Sequence, residues 1–358
     1  MRKVNTLISL ILLVSFISSV SFAKEASKED SGDLKSEIKE YINHHLLDSY
    51  DFSLYSFTNE KGEHIYRGFS LPVILWDDGL KVFSSSKFHH GETLAEIDGS
   101  YYKLYHNKIY KTNSSGDIHY AEDGHPTNIK PLDFSITKNV FTIFMVGLLM
   151  FFVFSRMAKN YKKSSTPSGL GRLLEPIVIY VRDEIAIPNI GKKKYKRYMN
   201  YLLTVFFFVW IINLLGLTPL GINVTNNIAV TLALALLTYL ITTFTANKNY
   251  WGHIFWMPGV PSLMKIVLAP IELLGTIIKP FSLMIRLYAN ITAGHIVIMS
   301  IIGLMFIFKN WVGSSLSFAL AFALGILELL VAALQAYIFT MLSALYFGAA
   351  VEEHHDDH

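Results

Sequence analysis

The sequence predicts an all-α membrane protein with five transmembrane crossings. The last two helices are expected to be long, tilted and folded into a hairpin, and a small, mostly β periplasmic region precedes the crossings. Three observations carry that prediction. Of 358 residues, 52% are hydrophobic and 16% charged, whereas a soluble domain carries roughly 25% charge. Beyond residue 133 the apolar residues gather into five runs long enough to cross a bilayer. Lys and Arg concentrate in one connection between those runs. The rest of the composition excludes whole classes of function. Net charge is +3, from 31 basic and 28 acidic side chains, too balanced for a nucleic-acid binder. The absence of cysteine rules out disulfides, thiol nucleophiles, iron–sulfur clusters and Cys-type zinc sites.

Residues 1–23 read as a signal peptide. Arg2 and Lys3 form a short positive region, residues 7–20 are nearly all apolar or Ser, and Ser21-Phe22-Ala23 offers small residues for cleavage. The competing reading, an uncleaved first membrane helix, meets a run that is short for a span. Residues 24–133 change character, with most of the acids and 8 of the 13 histidines. Turn signals at Asp77-Asp78-Gly79, Asp98-Gly99 and Ser114-Ser115-Gly116 separate short aromatic runs. This pattern predicts a helix over 34–47 followed by a β-rich insertion over about 59–125. The pairs His44-His45 and His89-His90 could bind metal, but no ligand spacing recurs, and solvated surface histidines are the plainer account.

Residues 134–353 form the membrane domain. Its expected spans are 134–155, 198–217 and 228–246, then two longer runs over 266–308 and 315–351. As single helices the last two would measure roughly 64 and 56 Å against a hydrocarbon core about 30 Å thick. They must therefore tilt, bend or project beyond the membrane; Pro270 and Pro280 are natural bending points. Orientation follows from charge. Eleven Lys and Arg lie between residues 155 and 198, and none lies between 218 and 227. The basic connection therefore belongs in the cytoplasm, the region 24–133 outside, and the polar tail 354–358 inside. Residues 170–187 mix apolar and charged side chains, as a helix on the inner membrane surface does.

The ionisable residues inside the last two runs are the candidate functional groups, because such groups are costly in a bilayer. Glu272, Lys279 and Arg286 are each seven apart and share a helix face, which Asn290 joins one turn later. His295 points to the other side. The final run carries Glu328 and, seven residues on, Gln335. Folding the two runs about a loop centred near residue 312 puts His295 17 residues before the turn and Glu328 16 after it. An antiparallel hairpin thus sets them at nearly the same depth, roughly 25 Å from the loop, where they could exchange a proton. Arg286 and Gln335 fall within about one turn of each other. Gly294, Ala332 and Ala333 would let the helices approach. A buried Arg keeps its charge. It can force a passing carboxylate to ionise and bar cation leakage, or it can simply pair with Glu272 or Glu328 and hold helices together.

The segment Pro280-Phe-Ser-Leu-Met-Ile-Arg286-Leu-Tyr-Ala-Asn290-Ile-Thr-Ala-Gly294-His295 resembles the signature of subunit a of F-type ATP synthases. So does Glu328 followed by Leu334-Gln335-Ala336-Tyr337-Ile338-Phe339, and so does Asn213-Leu-Leu-Gly-Leu-Thr-Pro219. The resemblance covers about residues 133–353. It implies a static proton path beside a rotating c-ring, held by the peripheral-stalk subunit b and other ATP synthase subunits in the cell inner membrane. Arg286 then matches the arginine that separates two half-channels. Asn290, His295, Glu328 and Gln335 match positions lining the outer half-channel, and Glu272 matches a polar position of the inner one. Many bacterial members carry Glu and His where this chain has His295 and Glu328, so the pair is present but swapped. The insertion over 59–125 departs from shorter members. The chain has no Gly-x4-Gly-Lys-Ser/Thr loop, so the resemblance implies a non-catalytic, cofactor-free subunit whose nucleotide chemistry lies in its partners.

Two other readings use the same residues. A stand-alone ion-coupled secondary transporter would often show inverted repeats, and none is evident. An intramembrane metal enzyme would want a spacing such as His-Glu-x-x-His, which is absent from the sequence.

Overall fold

A computed structural model describes residues 47–58, 64–122, 124–162, 169–218, 222–257, 260–308 and 311–352. The expected signal segment and the helix expected over 34–47 lie outside the described residues, apart from Leu47. The chain divides into two compact units. One comprises Met1–Met145, Leu215–Val224 and Ile302–Ser314; the other comprises Val146–Leu214, Thr225–Ile301 and Ser315–His358.

Among its described residues the first unit contains three small antiparallel sheets. Strands β1 (Asp51–Thr58) and β2 (His64–Ser70) pair with each other. Strands β3 (Pro72–Trp76), β4 (Leu80–Ser84) and, from farther along the chain, β8 (Leu132–Asp133) form a sheet in the order β4-β3-β8. Strands β5 (Ala95–Ile97), β6 (Ser100–Tyr105) and β7 (Lys108–Thr112) form the third. Asp98-Gly99 and His106-Asn107, all at positive φ, close two-residue hairpins. The first was legible as Asp-Gly; His106-Asn107 carries no such signature. Val73, Leu75, Phe83, Phe88, Tyr102 and Ile109 fill the core. At its edge Lys111 Nζ stands 2.8 Å from Asp77 Oδ2, and Tyr102 donates its phenolic hydrogen to the same oxygen at 2.7 Å. The Lys111 hydrogen bond, with that from Tyr102 behind it, holds the Asp77 carboxyl below the usual carboxylate range.

This β region is fastened to the first membrane helix, α1 (Lys138–Tyr161). The Lys138 amide donates to Ser49 O at 2.8 Å and the Asn139 amide to Asp48 Oδ1 at 3.0 Å. Two of the four amides that any helix start leaves unpaired are thus met from 90 residues upstream. Burial pushes the Asp48 carboxyl up, against the downward pull of the Asn139 amide. Phe141, in the first turn of α1, packs edge-on against Phe52 and Phe69, with ring centroids 5.4 Å apart in each case. Tyr50 donates to Asp133. The helix begins four residues later than the 134–155 run suggested. Phe134 and Ile136 instead continue the sheet edge, their amides bonding Ile74 O at 2.9 Å and Pro72 O at 3.1 Å. Hydropathy alone does not separate an apolar strand end from the start of an apolar helix.

The second unit is helical. Helix α2 (Gly171–Tyr180) leads through a π-helical turn, Val181–Ala186, into α3 (Ile187–Ile190). The helix suggested by 170–187 is thus present as one helical run over 171–190, and the wide π-helical turn inside it buries Val181, Ile185 and Ala186. Then follow α4 (Tyr195–Gly216), α5 (Ile228–Thr245), the short α6 (Lys248–Phe255), α7 (Ser262–Ile307) and α8 (Trp311–Val351). The molecule is mostly helical, and α1, α4, α5, α7 and α8 are long and apolar enough to cross a membrane. At 46 and 41 residues, α7 and α8 extend about 69 and 62 Å, and α7 stays helical through Pro270 and Pro280.

These helices turn polar and small residues inward. On α5 the buried stripe is Thr231, Ala235, Thr238 and Thr242, while Leu232, Leu236, Leu240 and Phe244 face outward. On α8, Glu328, Ala332, Gln335, Ala336, Thr340 and Ser343 are buried. In lipid this is the stable arrangement, since small residues allow close packing and hydroxyls find partners on neighbouring helices. The Tyr201 and Thr238 hydroxyls lie 2.7 Å apart, and Tyr198 donates to Thr245 at 2.7 Å. The C-terminus of α8 is capped from two loops. Lys194 Nζ reaches Val351 O at 2.7 Å, and Asn247 donates its amide to Ala350 O at 2.8 Å and its side chain to Val351 O at 3.1 Å. A cation at that end suits the helix dipole.

Candidate functional site

The centre of the site is a buried pair on α7 and α8. His295 Nδ1 lies 3.1 Å from Glu328 Oε1, with His295 8% exposed and Glu328 4%. The ring N–H is not aimed along that line. Among the described residues neither Glu328 Oε1 nor His295 Nε2 has an aligned hydrogen-bond partner. Gly294 makes the approach possible: a β-carbon there would stand 2.8 Å from the same carboxylate oxygen. The glycine and the acid are thus fitted to each other.

A polar network reaches the pair's neighbourhood from α4 and from the turn before α5. Asn213, 2% exposed in the last turn of an apolar helix, directs Nδ2 at Ala332 O (3.5 Å) and accepts from the Thr225 hydroxyl at 3.1 Å. Ala332 is one turn beyond Glu328. Thr292, one turn before His295, donates to Asn226 and to Tyr288 O. Thr225, Asn226 and Thr292 were not singled out in the sequence, and Asn213 was noted only within its motif. An amide in the interior of an apolar run was the available signal.

The remaining sequence-predicted residues stand apart from the pair. Gln335 is 3% exposed on the buried face of α8. Arg286 is half-buried on α7 between the buried Leu283 and Leu287, Glu272 is half-buried and Asn290 is exposed. Among the described residues Arg286 makes no ion pair; Glu328 contacts His295 instead. The sharing of Glu272 or Glu328 with Arg286 as a helix-to-helix strut is therefore not what this arrangement contains.

One heptad before Arg286, Lys279 sets its ammonium 5.7 Å over the Tyr346 ring of α8. It lines a cleft with Thr238, Thr242, Tyr250 and Thr276, from α5, α6 and α7. The site thus holds a buried His–Glu pair with a glycine notch, a guanidinium without an ion-pair partner among the described residues, and a cleft with Thr and Tyr hydroxyls in its lining nearer the start of α7.

Comparison with known proteins meets this arrangement. Residues 140–348, more than half of the chain, match the family model described as ATP synthase A chain. Residues 41–134, which include all eight strands, match a domain of unknown function (DUF8433). An ATP synthase subunit a of Chloroherpeton thalassium is 39% identical over 262 residues, covering 67% of this chain and 77% of that protein. One from Myxococcus xanthus is 42% identical over 235 residues, 63% of this chain and 77% of the relative. The "ATP synthase subunit a 2" of Prosthecochloris aestuarii is 35% identical over 309 residues, 80% of this chain and 92% of the relative. With its apolar helices, its buried His–Glu pair and this extent of likeness, the chain belongs to the ATP synthase A chain family.

Proposed function

We propose that this chain is the static proton-channel subunit of a rotary F-type ATP synthase, in which two half-channels load and unload the carboxylates of a c-ring and Arg286 separates them. Family membership makes it a multi-pass membrane protein of ATP synthase, engaged in ATP synthesis and proton transport. The finer reading is supported above all by one observation: among the described residues Arg286 has no ion-pair partner, on the helix that carries the His295–Glu328 contact. A guanidinium keeps its charge in any environment the protein can offer. With no fixed carboxylate claiming it, it is available to a moving one.

The outer half-channel runs through His295, Glu328, Asn290 and Gln335, with Asn213 and Thr292 extending its polar lining. Imidazole and carboxylate in contact can hand a proton on, and buried polar atoms without protein partners take water, the other element of a proton wire. A ring carboxylate protonated there becomes neutral and can turn through lipid at far lower cost than its anion. On the inner side Glu272 and the cleft lined by Thr238, Thr242, Thr276 and Lys279 lead the proton out, and Arg286 favours the ionised acid. One charge crossing 100 mV yields about 2.3 kcal/mol, so several crossings are summed by rotation for each nucleotide. The positive-inside pattern supports a cytoplasmic basic connection between α1 and α4 and a periplasmic β region, in a subunit of the cell inner membrane. The peripheral-stalk subunit b holds the subunit still. Arg286→Ala is expected to abolish ATP-driven proton pumping while the complex still assembles. Pumping at the normal rate in that variant would refute the assignment.

A further inference from the structure

We propose that the outer face of the β4-β3-β8 sheet rests on the lipid surface from which α1 descends, giving the β region a second membrane attachment besides the chain itself. Strand register writes this face out. Trp76 pairs with Leu80 on one side and Leu132 on the other, and Ile74 pairs with Val82 on one side and is bonded by the Phe134 amide on the other. The result is two rows of three apolar side chains across three adjacent strands. Five of the six are exposed: Trp76 55%, Leu80 62%, Val82 59%, Leu132 63% and Phe134 63%. The opposite face, with Val73, Leu75 and Phe83, is already committed to the core. An antiparallel sheet with one face on a core ordinarily gives the other to water and makes it polar; here the outward face is apolar, so it is built to be covered.

The position of the sheet identifies its cover. No free linker separates it from the membrane helix. The Phe134 and Ile136 amides bond the sheet, the Lys138 and Asn139 amides bond Ser49 and Asp48, and Phe141 of α1 packs on Phe52 and Phe69. Phe134 precedes Lys138 by four residues, a reach of at most about 14 Å, and Leu132 by six, about 21 Å. The headgroup layer on each side of the hydrocarbon core is itself about 5–8 Å deep. A face tied so closely to a span lies within reach of the interface. Its composition suits that place, with Trp and Phe beside aliphatic residues and no charge in either row. The inference needs only that α1 crosses the bilayer; it does not depend on the channel reading or on which side the β region occupies.

The test uses the whole complex, reconstituted in vesicles of phosphatidylethanolamine and phosphatidylglycerol. The chain has no cysteine, so Val82→Cys, Leu132→Cys and, should either fail to fold, Leu80→Cys each introduce a single site in this chain for a nitroxide. Wild-type complex treated alike supplies the blank, and Glu96→Cys and Glu122→Cys serve as exposed controls. Collisions with oxygen, enriched in lipid, should exceed those with a water-soluble nickel chelate at 82 and 132, and the order should reverse at 96 and 122. Labels on the sheet face as open to nickel as the controls overturn the proposal. So do labels shielded from both reagents, which would mean a protein covers the face.

Discussion

A β-carbon added at Gly294 would fall 2.8 Å from Glu328 Oε1, too close for the carboxylate to stay where it meets His295. Overpacking of a tight interior typically costs about 1–3 kcal/mol. Gly294→Ala is therefore expected to lower the thermal midpoint of the chain and to slow ATP-driven pumping. Gly294→Leu should abolish pumping even where the complex assembles; a normal pumping rate in the alanine variant would show that the notch is unnecessary. The contact itself was legible, because counting residues to either side of the turn gives His295 and Glu328 nearly equal depth. The notch was named only as a place for close backbone approach. That the glycine makes room for a particular oxygen is a fact about rotamers and helix rotation, which residue spacing does not encode.

The start of α1 shows what a helix owes to residues far away in sequence. Asp48 Oδ1 accepts from the Asn139 amide, yet burial pushes the Asp48 carboxyl up. A raised carboxyl favours the protonated form, so its charge weighs against the fold above that raised value, and the penalty fades as pH falls through it. The cap and the charge can be separated. Asp48→Asn keeps an oxygen acceptor and removes the charge, and should leave the thermal midpoint at neutral pH unchanged or higher. Asp48→Ala removes the acceptor and should cost about 1 kcal/mol, within a 0.5–2 range. Equal midpoints for the two variants would show that the bond contributes nothing. The five spans were legible because long apolar runs admit few alternatives in lipid. The boundary at Lys138 was not, since it depends on Phe134 and Ile136 pairing with strands some 60 residues upstream. The inward stripe of Thr231, Ala235, Thr238 and Thr242 is equally quiet in sequence, for threonine scores as nearly neutral in hydropathy.

At the scale of the whole chain, the stretch matched to the ATP synthase A chain, 140–348, and the stretch matched to the domain of unknown function, 41–134, adjoin without overlap. Deleting residues 51–133 is accordingly expected to leave α4, α5, α7 and α8 inserted and the complex still pumping. The cost should appear at the start of α1, as faster hydrogen exchange over its first two turns. Loss of all pumping on clean insertion would show that the β region takes part in transport. The architecture of five crossings with a β-rich segment before them was readable from hydropathy and turn signals. The pairing of β8 with β3 was not, because strand partners distant in sequence leave no periodic mark.

The bond from Asn139 to Asp48 also has a consequence in time. Its acceptor is synthesised 91 residues before its donor, and closing so long a loop costs about 4 kcal/mol by chain-entropy scaling. One hydrogen bond cannot meet that cost, so the β-strands must come together first and carry Asp48 into place. The start of α1 is in this sense finished late, its opening turn settling only when the region ahead of it has folded.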